Sequence, residues 1–386
     1  MPEKLKRILF FAAITLVPTL LIWAPFYFNI GKFWNIPLPK TGMATIVANY
    51  DGPLYLVVAK TLYNPDLIRL NYSFPIPLEY YAAHFPLYPL LIRLFSVIAG
   101  YPYSMLLVSG LSAFTAIYFF YKFILDYTDK GNALFLTFIF AIFPARWLIS
   151  RSVGSADPLF VGSILASIYY FKKEKYFSSA LWGIAAQLTK SPAILLFVAY
   201  AAASLAQGLN KYAPTSSKYW MRHFQVREKL PLLLIPVALV SVFFLYKLTL
   251  NDFFAYFKSG DNIHLFFPPF QIFNFSSPWV GTSWLEEIIF VYLIAAAGFI
   301  KLIKKGDIAV SWFVGVFFTS ILFVSHRDIM RYALPIVPFL FAGYSDFLTK
   351  KEFKYIIALL IIPIYLYSLA FISQNVMPIS DWAPFL

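Results

Sequence analysis

A carboxylate beside a long apolar stretch is the first feature of this sequence that suggests chemistry. Asp51 lies in the run Asn49-Tyr50-Asp51-Gly52-Pro53, after the first hydrophobic segment of the chain. Aspartate is a frequent N-cap and proline suits the first helical turn, so one interpretation is a cap that stabilises a short amphipathic helix by about 1 kcal/mol. The other is a general base held over a substrate at the membrane surface. The two are compatible, because a capping residue has a fixed orientation.

A second acid repeats this pattern. Asp157 ends the short turn Ser152-Val153-Gly154-Ser155-Ala156-Asp157 and is followed directly by Pro158. A helix cap explains this residue equally well. Both acids, however, fall at predicted starts of helices on the same side of the membrane. That recurrence favours a common cavity.

The third polar cluster is His326-Arg327-Asp328, followed by Arg331, between two apolar segments. Arg327 and Arg331 are four residues apart and would share one face of a helix. Two guanidinium groups on one face suit a phosphate, by charge and by bidentate hydrogen bonding. The alternative is an interfacial anchor in which an arginine pairs with Asp328.

Four further residues are weaker candidates for substrate contacts. Lys190 lies at the outer end of a short apolar segment, and Arg146 and Arg151 flank the turn that carries Asp157. Snorkelling of the long side chain to the membrane surface explains each of them singly, yet ionisable groups in or beside spans often mark a site. His84 precedes Phe85-Pro86 and is either a substrate contact or a packed interfacial imidazole.

The composition requires an apolar environment around these residues. Hydrophobic residues make up 60% of the 386 and charged residues only 13%, with a mean hydropathy of +0.71. Such a chain is a multi-span helical membrane protein, because its apolar runs are too long for barrel strands. The absence of cysteine excludes disulfides and thiolate metal sites, and the four histidines lack the spacing of a zinc site.

The hydropathy pattern predicts an all-α polytopic protein with about eleven transmembrane helices in one domain, 1–386. The predicted spans lie near 8–30, 104–124, 133–149, 158–171, 177–189, 191–207, 231–250, 286–303, 308–325, 333–349 and 355–373. A large first outer loop, 31–103, carries interfacial helices that include 85–100. A second large outer loop covers 251–285.

The charge distribution orients the chain. With the N-terminus in the cytoplasm, 19 of the 31 basic residues fall in inner segments. The net charge of +13 is therefore a topology signal, and no nucleic-acid partner is expected. The candidate site lies on the outer face of the membrane, which we expect to be a prokaryotic plasma membrane.

The ordered series of motifs resembles a known superfamily. It runs from the early Tyr50-Asp51-Gly52 through HFPLYPLLIRLF, SVGSADPLF and ALWGIAAQLTKSPAILLF to HRDIMRYALPIVPF. This order is similar to that of the GT-C membrane glycosyltransferases, with the PIG-V-like GPI mannosyltransferase II family and its prokaryotic relatives as the nearest branch. The likeness covers most of the first 200 residues and 325–340. Departures from that branch are Tyr50 for tryptophan, His84 for phenylalanine, Asp157 for glutamate and Lys190 for arginine.

The resemblance implies transfer of a hexose, in that branch mannose, from a polyprenyl-phosphate donor to a glycan, lipid or protein acceptor. Asp51 would be the general base of an inverting reaction. No metal or other cofactor would take part, and the residues that bind substrate would be Asp157, Arg327, Arg331, His326, Lys190, His84 and Arg151.

The main rival is a non-enzymatic flippase or transporter for lipids or glycolipids, which would have broken helices with polar groups near the membrane midplane. A second rival is an enzyme of the same architecture that ligates or polymerises lipid-linked glycans.

Overall fold

The computed structural model describes residues 2–211, 226–260, 265–277, 280–282 and 284–386. It is 73% helical, and the strands among these residues are one antiparallel pair, Lys32–Phe33 with Ile36–Pro37. The predicted all-α class is thereby confirmed.

Eighteen α-helices are formed by the described residues. In chain order they are α1 Glu3–Tyr27, α2 Met43–Val47, α3 Gly52–Thr61, α4 Pro65–Asn71, α5 Leu87–Ile124, α6 Lys130–Ile142, α7 Ala145–Ser152, α8 Asp157–Lys172, α9 Tyr176–Gln187, α10 Ile194–Lys211, α11 Val226–Lys229, α12 Leu234–Thr249, α13 Leu285–Lys304, α14 Ile308–Ile321, α15 Ile329–Tyr332, α16 Val337–Gly343, α17 Ser345–Leu348 and α18 Lys351–Gln374. Single 3₁₀ turns also occur, at Leu78–Ala83, Ser191–Ala193, Leu230–Leu233, Ala255–Lys258, Gln271–Phe273 and Ala383–Phe385.

Four segments in the described part of the chain are long and apolar enough to cross a membrane. They are Glu3–Tyr27, Leu87–Ile124, Arg227–Thr249 and Lys351–Gln374. The bent pair α6 and α7 makes a fifth if it is one span. These helices identify an integral membrane protein, whereas the number of eleven spans stays a prediction, because the remaining helices are shorter.

Prolines and glycines place the breaks differently from the hydropathy pattern. The predicted single span 133–149 is interrupted at Pro144, where the chain bends by 68° between α6 and α7, because proline cannot continue the hydrogen-bond ladder. In α5 only Gly100 leaves helical geometry, with a φ of 69°, and it separates the predicted interfacial segment 85–100 from the span that follows. The predicted span 333–349 is divided between the short helices α16 and α17.

The chain forms two compact units. The first comprises Met1–Gly162, Val242–Ser259 and Phe347–Leu386, and the second comprises Ser163–Ser241 and Gly260–Asp346. The first unit contains Asp51, His84, Arg151 and Asp157. The second contains Lys190 and the segment from His326 to Arg331.

The core of the first unit surrounds α3. The sequence predicts an amphipathic helix here, but every residue from Gly52 to Ala59 is buried and Lys60 is half-buried. The reason is that Leu54, Tyr55 and Leu56 place apolar groups on all sides of the helix, and such a helix lies inside a protein. It packs on α5, so the acid that precedes it is fixed by the core.

The second unit has its own core, built from α10 against α14 and α13 against α16. The Tyr200 ring stacks on Phe171 at 4.1 Å between centroids, and its hydroxyl is 2.7 Å from Ser167 Oγ. The segment from Leu265 to Phe270, within the predicted second outer loop, forms backbone hydrogen bonds with residues 322–324, which precede His326.

Candidate functional site

Asp51 occupies the N-cap position of α3, yet its side chain makes no capping hydrogen bond. The turn is closed by the backbone instead, with the Gly52 nitrogen donating to the carbonyl oxygen of Asn49 at 3.0 Å. Tyr50 has a left-handed φ of 49°. Asp51 as a whole residue is half-exposed. The capping role considered from the sequence is therefore not performed by this side chain.

The C-terminal end of α18 anchors the turn that carries Asp51. Asn49 Nδ2 donates to the carbonyl oxygen of Ile372 at 2.8 Å, and Asn375 Nδ2 donates to Asn49 Oδ1 at 3.2 Å. The Met377 nitrogen adds a bond of 2.8 Å to the carbonyl oxygen of Ala48. Asn49 is fully buried, so these bonds satisfy polar groups that have no access to water.

The turn that leads to Asp157 lies directly against the Asp51 turn. A Cβ atom placed on Gly52 would be 3.4 Å from the carbonyl oxygen of Gly154 and 2.2 Å from that of Val47. The Met105 side chain lies beneath both glycines. The structure thus brings the two predicted acidic turns together, as the recurrence in the sequence suggested.

Asp157 is the first residue of α8 and is only 3% exposed. Its Oδ2 is 3.1 Å from Ser150 Oγ and 3.0 Å from Ser155 Oγ, and both hydroxyls donate to it. The two acids therefore differ in exposure: Asp51 is half-exposed, whereas Asp157 is buried and accepts hydrogen bonds from two serines.

Buried hydrogen bonds, continued by aromatic ring contacts, lead from the Asp157 turn towards His84. Ser109 Oγ donates to the carbonyl oxygen of Ser155 at 3.2 Å and is 2.6 Å from the Tyr88 hydroxyl. The Tyr88 ring meets Tyr55 edge-to-face, and Tyr55 in turn meets the His84 ring at 4.7 Å.

His84 itself is 3% exposed, which agrees with the packed imidazole that the sequence left open. The Tyr63 hydroxyl donates to the carbonyl oxygen of His84 at 2.6 Å. Burial raises the pKa of the Tyr63 phenol well above its usual range, so this residue remains a neutral donor.

Arg151 is 1% exposed and is engaged by the protein itself. Its Nε donates to the carbonyl oxygen of Ala141 at 2.8 Å, and one terminal nitrogen donates to the carbonyl oxygen of Thr15 at 2.8 Å and to Thr19 Oγ1 at 3.0 Å. These contacts join α7 to α1 and α6. The geometry gives Arg151 a structural role, and its predicted contact with substrate has no support here.

Arg146, on the same short helix, has a different environment. It is half-exposed, and its guanidinium carbon lies 3.6 Å from the centroid of the Phe371 ring. From the sequence, both arginines lie beside the Asp157 turn, and we did not predict that their environments differ. The spacing of five residues on a helix was a signal of this difference, because two side chains at that spacing point about 140° apart.

In the second unit the predicted cations lie in a less regular segment than expected. The helix α15 begins at Ile329, so Arg331 is helical and Arg327 precedes the N-cap. The expectation of one shared helical face is therefore wrong, since only four residues, Ile329–Tyr332, are helical. Arg327 is exposed and Arg331 is half-exposed.

Two other predicted residues of this unit are at least partly accessible. His326 Nδ1 accepts a hydrogen bond from the Asp328 nitrogen at 2.9 Å, which fixes the ring and leaves its Nε2 as the donor. Lys190 is half-buried, and its backbone is extended at the position just before the 3₁₀ turn Ser191–Ala193.

No group of three or more histidine, cysteine, aspartate or glutamate side chains with metal-binding geometry occurs in the described part of the chain. That the protein needs no metal stays a prediction.

Similarity to solved structures extends over nearly the whole chain. The apo form of the Archaeoglobus fulgidus oligosaccharyltransferase superposes with a TM-score of 0.55 and 11% sequence identity, covering 96% of this chain and 57% of that protein. The form of the same protein in complex with Zn and sulfate gives a TM-score of 0.50 and 13% identity, covering 96% and 54%. The chain shares the fold of the matched part of that oligosaccharyltransferase.

At 11 to 13% identity this likeness shows the fold alone, and membership of the GT-C superfamily and of its PIG-V-like branch stays a prediction. This chain spans little more than half the length of the oligosaccharyltransferase. No protein-family model and no curated protein matches the sequence. Within this fold, the first unit places the half-exposed Asp51 on a turn that lies against the turn of the buried Asp157.

Proposed function

We propose that the protein is a membrane glycosyltransferase that moves a hexose, mannose in the first instance, from a polyprenyl-phosphate donor to an acceptor hydroxyl on the outer face. The single observation that carries this proposal is the position of the half-exposed residue Asp51, on a turn fixed by α3, α18 and the neighbouring glycine turn. A general base needs access to its substrate and a fixed direction, and this residue has both.

The reaction is an inverting displacement. The Asp51 carboxylate takes the proton from the acceptor hydroxyl as its oxygen forms a bond to the anomeric carbon. The bond from that carbon to the phosphate oxygen breaks, and its electrons leave with the lipid phosphate. Because a phosphate leaves as an anion, it needs cations more than a protonating acid, and electrostatic stabilisation then supplies much of the rate.

The other predicted residues take supporting roles in this proposal. Asp157, buried and held by its two serines, maintains the turn that lies against the Asp51 turn, and Arg151 and His84 maintain the helices and loops around it. Arg331, Arg327, His326 and Lys190 of the second unit remain the predicted ligands of the donor. The oligosaccharyltransferase fold supports transfer of sugar in general, and the identity of the sugar, the lipid and the acceptor is proposed from the motif resemblance.

The test is transfer by the purified protein in detergent, with a panel of radiolabelled polyprenyl-phosphate sugars. Asp51→Asn should lower the rate by about 10²- to 10⁴-fold without changing the melting temperature, because a general base contributes a factor of this size. Asp66→Asn is the matched control, since Asp66 lies in the same loop with its side chain 95% exposed. Equal use of a nucleotide sugar would contradict the class of donor, and loss of activity on chelation would contradict a metal-free reaction.

A second candidate function has one observation in its favour. Broken helices are a feature of transporters, and α6 and α7 are bent by 68° at such a break, with the buried Arg151 in the last turn of α7. A flippase moves lipid between leaflets and forms no glycosidic bond. Lipid translocation in vesicles without sugar transfer in detergent would therefore select this alternative.

A further inference from the structure

The segment that follows α18, 375–386, returns to the turn of the candidate base. The Met377 nitrogen donates to the carbonyl oxygen of Ala48 at 2.8 Å, and Val376 forms an antiparallel bridge with Asn49. These contacts involve the main chain of both segments. They therefore restrain the backbone of the turn itself, two and three residues before the candidate base.

The far end of the 375–386 segment is held by a cluster of aromatic rings. Phe385 is only 3% exposed, and its ring meets those of Tyr72 and Phe74 edge-to-face, at 5.2 and 6.1 Å between centroids. The Trp382 ring is 5.6 Å away, and the Tyr72 hydroxyl donates to the carbonyl oxygen of Pro384 at 3.0 Å. Aromatic pairs in this geometry attract each other beyond the effect of the apolar area that they bury. Phe385 is thus an anchor for the segment.

The part of the segment between these two contacts is held less firmly. Pro378, Ser380 and Asp381 are exposed, and beyond them the 3₁₀ turn Ala383–Phe385 packs against α3. Ordering a chain costs conformational entropy at every residue, and an isolated bridge with one hydrogen bond offsets little of that cost. The contacts at the turn of the candidate base therefore depend on the aromatic anchor.

We propose that Phe385 is a positioning residue for the reaction at Asp51, acting through the 375–386 segment on the turn that carries the base. This inference rests on the proposed function, because it takes Asp51 as the general base. Such a base must lie within hydrogen-bond reach of the proton that it removes. A displacement of its turn by about 1 Å lowers the rate although the carboxylate is still present.

Hydrogen exchange, resolved to single amides by mass spectrometry, tests the anchor without any sugar transfer. In Phe385→Ala the Met377 amide should exchange roughly 10- to 100-fold faster, because the segment opens more often. The Gly52 amide, which closes the turn by its bond to the carbonyl oxygen of Asn49, should exchange faster by a smaller factor. Leu386→Ala is the matched control, since Leu386 is the next residue and is 72% exposed, and it should change neither amide.

Sugar transfer by the same purified variants tests the effect on the reaction. Phe385→Ala should lower kcat per folded molecule by roughly tenfold and leave the KM of donor and acceptor within about twofold, because the base is displaced while binding is retained. Phe385→Leu should restore most of the rate, since leucine keeps an apolar side chain in the cluster. A residue that only stabilised the fold would lower the amount of folded enzyme and leave its kcat unchanged.

Melting temperatures show which variants are folded. If Phe385→Ala is not, Tyr72→Phe takes its place, because it removes only the hydroxyl that bonds to Pro384. It should produce the same changes to a smaller extent. Wild-type exchange at Met377 in the folded variants would overturn the proposal, and so would faster exchange with an unchanged kcat.

The two measurements also separate this inference from the proposed function. Faster exchange at Met377 and Gly52 in a protein that transfers no sugar would support the anchoring of the turn by Phe385 and contradict the glycosyltransferase. Transfer that is lost in Asp51→Asn but keeps its wild-type kcat in Phe385→Ala would support the enzyme and contradict the positioning role.

Discussion

Asn49 donates a hydrogen bond of 2.8 Å from its side-chain amide to the carbonyl oxygen of Ile372, which lies 323 residues later in the chain. This bond joins the turn of the candidate base to the last turn of α18. Since Asn49 also accepts from Asn375 and is fully buried, the position of Asp51 depends on the C-terminal helix as much as on its own local sequence.

Replacing Asn49 by alanine should show whether activity depends on the position of Asp51, because the substitution leaves the Asp51 carboxylate in place but removes the anchor of its turn. The substitution removes the bonds to Ile372 and Asn375, and the buried groups that remain lose their partners, at a cost of about 1 to 3 kcal/mol. We expect a loss of sugar transfer that exceeds the loss of folded protein, measured as initial rate per folded molecule. Asn71→Ala is the control, because Asn71 makes only an exposed bond within α4. Full activity in Asn49→Ala would show that the base does not need this anchor.

Gly52 provides a second test of the close approach between the two acidic turns. An alanine Cβ would lie 2.2 Å from the carbonyl oxygen of Val47, so the backbone must move, at a cost of about 1 to 3 kcal/mol or more. Gly110→Ala is the matched control, because its Cβ would meet no atom within 4 Å and α5 should gain about 1 kcal/mol. Melting temperatures in detergent should therefore move in opposite directions. A neutral Gly52→Ala would contradict the packing of this turn.

The sequence predicted the features that depend on local pattern, and the structure added those that depend on distant contacts. The apolar runs indicated helices, and Gly52-Pro53 indicated the start of α3. The burial of α3 was not predicted, because an amphipathic pattern of ten residues does not show what covers its polar side. The different environments of Arg146 and Arg151 arise from α18 and α1, which are far from α7 in sequence.

The two serines that hold Asp157 predict a graded effect on activity. Ser155→Ala or Ser150→Ala removes one donor from a buried carboxylate, and a hydrogen bond to a charged group contributes about 1.5 to 3 kcal/mol. Each single variant should lower the rate of sugar transfer. If both serines hold the same carboxylate oxygen, the fold-loss of rate in the double variant should be smaller than the product of the two single fold-losses. Ser241→Ala is the control, since its hydroxyl bonds only within an exposed part of α12. Wild-type rates in both variants would remove Asp157 from the reaction.

Arg331 of the second unit is the next test of donor recognition. If it binds the lipid phosphate, Arg331→Ala should raise the apparent KM for the donor while the KM for the acceptor stays unchanged. Arg331→Lys should restore part of the affinity through charge alone. Kinetics with the donor and the acceptor varied separately measure this difference. An unchanged donor KM would contradict the predicted phosphate contact.

Arg151 should behave as a structural residue. Its Nε satisfies the carbonyl oxygen of Ala141, which lies in the last turn of α6 and has no partner within that helix. Arg151→Met keeps most of the apolar volume but removes this bond and those to Thr15 and Thr19, so we expect a loss of about 2 to 3 kcal/mol in the free energy of unfolding. Arg69→Met, on the exposed surface of α4, should change it little. The decisive measurement is the donor KM of Arg151→Met and of the wild type, obtained from the rate of sugar transfer per folded molecule at increasing donor concentration. A structural arginine leaves the donor KM of the folded fraction near the wild-type value, whereas a raised donor KM at unchanged stability would establish the substrate contact predicted from the sequence.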